Sequence, residues 1–204
     1  EIRNQFSFPN LHEAYKEVLR PTSIEQAESA RKRLTFDEAF LLQLTLLKQK
    51  QELLKVHTIA RIPKTPGVLS EFDKQLPFQL TPGQLNVSSA IFQDLIAEHP
   101  MHRLLQGEVG SGKTIVALRA ALNVIDAKAQ VALLAPTEVL AQQHHRTISR
   151  QLGELATKGK LGAPDCAIEI ALLTGSMGAA EKREIQARIK NGEIDLVVGT
   201  HALL

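Results

Sequence analysis

Leu104-Leu105-Gln106-Gly107-Glu108-Val109-Gly110-Ser111-Gly112-Lys113-Thr114 is the stretch on which the fold reading turns. Residues 107–114 fit G-x-x-x-x-G-K-[ST], a loop whose glycines let the backbone curl so that its N–H groups face phosphate oxygens. The pattern carries that meaning only between a strand and a helix. An apolar run at 103–106 predicts the strand, and the periodicity of 113–127 predicts a helix whose N-terminus adds partial positive charge. In that setting Lys113 is the candidate partner of the β and γ phosphates of a nucleotide, and Thr114 of its Mg²⁺.

On the carboxyl side the alternation continues. The sequence predicts a strand at 131–135, a helix at 138–152, a loop to about 165, a strand at 168–173, a helix at 179–191 and a strand at 196–198. Strands alternating with helices imply parallel pairing through helical crossovers, hence an open α/β sheet. Ligands of such sheets bind beyond the carboxyl ends of the strands. Here those ends read Ala135-Pro136-Thr137-Glu138, Leu173-Thr174-Gly175-Ser176 and Val198-Gly199-Thr200-His201, each a small hydroxyl-bearing cluster. Such groups can hold phosphodiester oxygens without reading bases, and each cluster alone also reads as a helix cap.

On the amino side, Phe78-Gln79-Leu80-Thr81-Pro82-Gly83-Gln84 places Thr81 as a cap, Pro82 at the first helical position and Gln84 at the third, opening a helix over 82–98. The Gln84 amide can also pair with the edge of adenine, which would select ATP over GTP. Pro63 and Pro66 break regular structure over 61–67, and the domain boundary is placed near Glu71. Everything before it reads as helix. Residues 11–20 are stopped by Pro21, and Ser23 with Gln26 and Thr35 with Glu38 predict two further helix starts. Phe36, Phe40, Leu44, Leu47 and Leu54 line an apolar face to about Val56.

Composition sets the limits. Of 204 residues 44% are hydrophobic and 23% charged, which excludes disordered and fibrous classes and fits one domain with an extension. The single Cys166 rules out an internal disulfide and favours a reducing compartment. The sequence shows neither a signal-peptide layout nor an apolar run of the ~18 residues that span a bilayer, so a cytoplasmic protein without a membrane partner is expected. His144 and His145 point about 100° apart on their helix and make no two-histidine metal site. Lys182, Arg183, Arg188 and Lys190, like Arg31-Lys32-Arg33, suit either a solvated helix face or DNA.

Taken in order, residues 77–81, Gln84, 104–114, 135–138, Leu140-Ala141, Gln143-His144, 172–176 and 197–201 resemble the RecG family of superfamily 2 DNA helicases, and 31–44 resembles the helical segment that precedes its motor. The resemblance implies a RecA-like first motor domain, truncated, over 71–204, with 1–70 as the helical extension that follows a wedge domain. It implies ATP and Mg²⁺ as cofactors, with Phe78 and Gln84 at the base and with Gly107, Glu108, Val109, Gly110, Ser111, Gly112, Lys113 and Thr114 around the phosphates. Lys113 and Thr114 would be the catalytic pair, and Thr114 would meet the metal. Thr137, Thr174, Gly175 and Thr200 would lie towards the DNA backbone.

The implied partner is branched DNA, a fork or Holliday junction, engaged by a monomer in recombination and repair. Glu108 stands where the family usually has Asp, and 153–165 reads as a surface insertion. The family's Asp-Glu-x-His strand, its second motor domain and its amino-terminal wedge lie outside these 204 residues, so the resemblance implies no hydrolysis by the chain alone. Transcription-repair coupling translocases share the core but usually carry Phe at the position of Ser111. A non-catalytic nucleotide- or DNA-binding module is the reading from another class, and a small-molecule phosphotransferase would need an acceptor pocket and lid that the sequence does not announce.

Net charge is +2 but uneven. Residues 1–70 hold 11 Lys/Arg against 8 Asp/Glu, and residues 71–204 hold 13 against 14. With so few cations to release counterions, 71–204 should bind DNA weakly, at roughly 10⁻⁴ to 10⁻⁶ M at physiological salt and with little sequence dependence. Fluorescence anisotropy with forked and linear duplexes checks this, and nanomolar fork-selective binding by the isolated chain would contradict it.

Overall fold

The structure is a computed structural model that describes residues 5–203, the side chain of Ala202 excepted. The chain divides into two compact units, Glu1–Val56 and His57–Leu204.

The first unit is helical. Helix α1 (Leu11–Leu19) starts at Asn10, whose side chain accepts from the Glu13 N–H while Glu13 reaches back to the Asn10 N–H. Helix α2 (Ile24–Leu54) begins as expected at Ser23, whose hydroxyl accepts from the Gln26 N–H at 3.2 Å. The second helix start expected at Thr35 does not occur: Thr35 lies inside α2. No Gly or Pro interrupts 24–54, so nothing frees the backbone N–H groups that a cap would serve. Phe6, Phe8, Phe36 and Phe40 pack together with ring centroids 5.1–5.9 Å apart. Arg33 lies 5.7 Å over the Phe8 ring and pairs with Asp37 at 2.9 Å, so part of the basic run is spent within this unit.

The second unit begins earlier than the expected boundary near Glu71. Residues 57–67 are irregular but anchored: Thr58 N–H donates to the Glu98 carbonyl, Arg61 N–H to Leu95 and Lys64 N–H to Asp126. Then follow α3 (Val68–Gln75), α4 (Pro82–Leu95), α5 (Lys113–Asp126), β1 (Val131–Leu134), α6 (Glu138–Leu152), β2 (Ile170–Leu173), α7 (Ala179–Lys190) and β3 (Leu196–Gly199), with short 3-10 turns at Gly153–Ala156 and His201–Leu203. Helix α3 was not anticipated. Its signal, Val68, Leu69, Phe72 and Leu76 on one face, spans barely two turns.

The three strands are parallel in the order β1-β3-β2. Central β3 is buried along its whole length, which suits its continuous apolar run, whereas edge strand β1 is only half-buried. Leu134, Gly199 and Leu173 lie in register, so the three carboxyl ends come to one level. A Cβ at Gly199 would come within 2.2 Å of the Leu173 carbonyl oxygen, which explains glycine there. Helices α5 and α6 cover the sheet with Leu118, Leu122, Ile148 and Leu152, against which Phe72 and Ile91 also pack.

The strand expected at 103–106 takes no place in the sheet among the described residues. Leu105 packs on the core while Leu104 is 83% exposed, so the alternation that predicts a strand is present without a pairing partner. The insertion at 153–165 is tethered at its start: Leu155 is buried and its carbonyl accepts from the Ile168 N–H. Among the described residues no helix is long and apolar enough to cross a membrane.

Buried Asp126, the last residue of α5, fixes the start of α3. Its carboxylate accepts from the Val68 N–H at 2.8 Å and the Leu69 N–H at 3.0 Å, placing negative charge at a helix N-terminus. Gly67 makes room: a Cβ there would sit 2.3 Å from Asp126 Oδ1. Asp126→Ala and Gly67→Ala are each expected to speed hydrogen exchange at the Val68 and Leu69 amides by about tenfold or more, through loss of charge-assisted hydrogen bonds. The double variant should show little beyond the single ones, and additive effects would refute the shared cause.

Candidate functional site

The phosphate loop is shaped by two left-handed glycines, Gly110 at φ 84° and Gly112 at φ 83°, the second being the N-cap of α5. Lys113 folds back over the loop, its Nζ donating to the carbonyls of Gly107 at 2.8 Å and Glu108 at 2.7 Å. The Ser111 N–H donates to the Glu108 carbonyl, closing the turn, and Val109 stands fully exposed at its crest. Thr114 is half-buried in the first turn of α5.

Gln84 belongs to this loop. As expected from its spacing it completes a capping box, accepting from the Thr81 N–H at 2.9 Å while the Thr81 hydroxyl accepts from the Gln84 N–H. Its other end donates from Nε2 to the Ser111 carbonyl at 3.0 Å, a contact the sequence does not announce. One amide N–H and one oxygen lone pair remain, the donor and acceptor that an adenine edge needs. A Cβ at Gly112 would lie 2.4 Å from Nε2, so the third glycine of the motif gives Gln84 its place.

Gln84, Gly107, Ser111 and Lys113 line one open cleft of about 290 Å³ together with Thr81, Val87, Leu105 and Val116. The donors, the close-packed glycines and the lysine suit a nucleotide phosphate chain. Phe78 is half exposed and lines a separate cavity of about 600 Å³, with Asp73, Leu76, Leu80 and Arg119.

The strand-end clusters share an edge, but they differ in what they offer. Thr137 caps α6, accepting from the Leu140 N–H at 3.3 Å, and is exposed, as is Gly175. Thr174 and Thr200 are buried, with 1% and 9% of their surfaces accessible. Thr174 Oγ1 lies 3.4 Å from Ser176 Oγ, and its N–H faces the Met177 sulfur. Glu138, for which the sequence suggested no role, accepts from the Ser176 N–H at 2.8 Å, and Lys182 donates to the Gly175 carbonyl. The Ser176 hydrogen bonds hold the Glu138 carboxyl below its usual range, with the Lys182 charge acting the same way. No local signal joins residues 138 and 176.

His145 is half-buried, and burial pushes its pKa down. Arg188 pairs with Glu169 at 2.8 Å and with Glu193 at 3.4 Å.

The sequence profile of the family described as "DEAD/DEAH box helicase" matches residues 81–204, the stretch that holds the cleft and all three strand ends. The chain belongs to that family. Among its relatives, "ATP-dependent DNA helicase RecG" of Mycobacterium tuberculosis (strain CDC 1551 / Oshkosh) is 46% identical over the whole chain and 28% of the relative. The protein of that name from Thermotoga maritima is 40% identical over 95% of the chain and 23% of its own length. A solved structure described as "Structure of RecG bound to three-way DNA junction" superposes with a TM-score of 0.82 at 38% identity, covering 98% of this chain and 26% of that one. The fold of this chain is therefore RecA-like, with helices preceding the sheet. The chain spans about a quarter of the length of the relatives it matches.

Gly112→Ala strains a left-handed position and drives a Cβ into the Gln84 amide. It is expected to weaken binding of inorganic tripolyphosphate by about tenfold or more, from the lost loop geometry and the lost Gln84–Ser111 bond. Calorimetric titration of a folded variant checks this, and unchanged affinity would show that the loop does not bind the phosphates.

Proposed function

We propose that the chain is the nucleotide-binding front of the first motor domain of an ATP-dependent DNA helicase that remodels branched DNA in recombination and repair, with His57–Leu204 in the motor and Glu1–Val56 forming the helical stretch before it. The observation that carries the reading is the cleft that joins Gln84 to Gly107, Ser111 and Lys113. The name of the relatives and the junction-bound neighbour support the choice of substrate class.

Lys113 holds two loop carbonyls and exchanges them for β and γ phosphate oxygens, while the loop N–H groups and the N-terminus of α5 neutralise the same charge. Thr114 offers its hydroxyl to Mg²⁺, and Gln84 turns its free donor and acceptor to the base. Bound ATP supplies the free energy of the motor. Glu108, one methylene longer than the family's usual Asp, keeps the charge beside the loop. At the strand ends, Thr137 and Gly175 face DNA phosphates, with Thr174 and Thr200 holding the edge in shape. The Asp and Glu that activate hydrolysis, and the wedge that meets the junction, belong to the rest of the full-length protein, which acts as a monomer in the cytoplasm.

Lys113→Ala in the full-length protein is expected to abolish ATP-driven fork remodelling, a loss of about a hundredfold or more, because the lysine serves the transferring phosphate. Fork binding should stay within a fewfold of wild type. A gel-based unwinding assay beside a mobility shift decides it: retained remodelling, or binding lost together with remodelling, would overturn the reading.

A further inference from the structure

Three helices meet behind the cleft at one buried arginine. Arg119 lies on α5, six residues after Lys113, and is 7% exposed. Its Nε and Nη2 donate to the two carboxylate oxygens of Asp73 on α3, both at 2.8 Å. The guanidinium carbon stands 5.5 Å from the centre of the Phe92 ring on α4. Its Nη1 is buried without a hydrogen-bond partner among the described residues.

A buried guanidinium with a missing bond is costly, and an apolar residue of the same length would fill the space as well or better. Stability alone therefore gives no reason for it. What the arrangement provides is registry. Helix α5 begins with the phosphate loop, α4 begins with Thr81 and Gln84, and α3 runs into Leu76-Pro77-Phe78-Gln79-Leu80, which lines a cavity with Arg119. A two-point fork to α3 and a ring contact to α4 hold these two helix starts and the segment after α3 at fixed separations. Gln84 is tied to its own helix start through Thr81 and to the loop by the 3.0 Å hydrogen bond to Ser111, so a shift of α4 against α5 breaks the tie to the loop.

We infer that Arg119, through Asp73 and Phe92, is the positioning residue for base recognition by Gln84: it does not touch the nucleotide but sets the distance between the amide that reads the base and the loop that holds the phosphates. The inference rests on the nucleotide reading above.

The test uses the full-length protein and three ligands: ATP, GTP and inorganic tripolyphosphate, the last reporting on the loop alone. Arg119→Met keeps the packed stem and removes the fork, and Asp73→Asn does the same from the more exposed side. Both variants should lower the ATP-over-GTP preference by about tenfold, the worth of one bidentate base contact, and leave tripolyphosphate affinity within about twofold. Arg119→Lys, which keeps the charge but lacks the fork, should recover only part of the preference. A wild-type preference in Arg119→Met and Asp73→Asn, or equal weakening of all three ligands, overturns the proposal. Gln84→Ala separates the two readings. If it collapses the preference while Arg119→Met does not, the positioning role fails alone; if it leaves the preference intact, base reading by Gln84 fails and this inference falls with it.

Discussion

Central strand β3 is the constraint on which the rest of the unit depends. Leu196, Val197, Val198 and Gly199 are buried on both faces and paired on both edges, so every ladder bond must be made and no side chain can turn outward. Because β1 and β2 pair with the same residues of β3, their carboxyl ends finish at one level, and residues far apart in sequence come to a shared edge. Gly199 tightens this further, since its missing side chain lets the Leu173 carbonyl approach. The meeting of Glu138 with Ser176 is a result of that register, not of any local preference.

Most of the fold was legible because it is written in local chemistry. The helix starts at Ile24, Pro82 and Glu138 follow from Ser23, Thr81 and Thr137 as caps, and the phosphate loop follows from glycines that supply its left-handed backbone. What stayed hidden depends on partners distant in sequence. The pairings of Asp126 with Val68, Glu138 with Ser176 and Arg119 with Asp73 span tens of residues and leave no periodic trace. The two failures share a cause. Thr35 and residues 103–106 carry the right local pattern, but a cap needs a free helix end and a strand needs a neighbour.

The candidate site was legible in its list of residues and less so in its organisation. Gln84 was readable either as a cap or as a base reader, and the structure has its amide serving Thr81 and Ser111 together. This makes the cap part of the site, since the helix start and the loop share one side chain. Thr174 and Thr200 are the reverse case. A hydroxyl at a strand end reads the same in sequence whether it faces solvent or core, and burial has turned both inward.

Leu104 carries a different consequence. Its side chain is almost fully bare beside a backbone stretch without a ladder partner, and among the described residues β1 pairs on one side only. Backbone without a ladder partner beside a bare apolar side chain is the kind of edge that natural sheets hide under a neighbour. In colloidal terms Leu104 is one sticky point on the surface of this molecule.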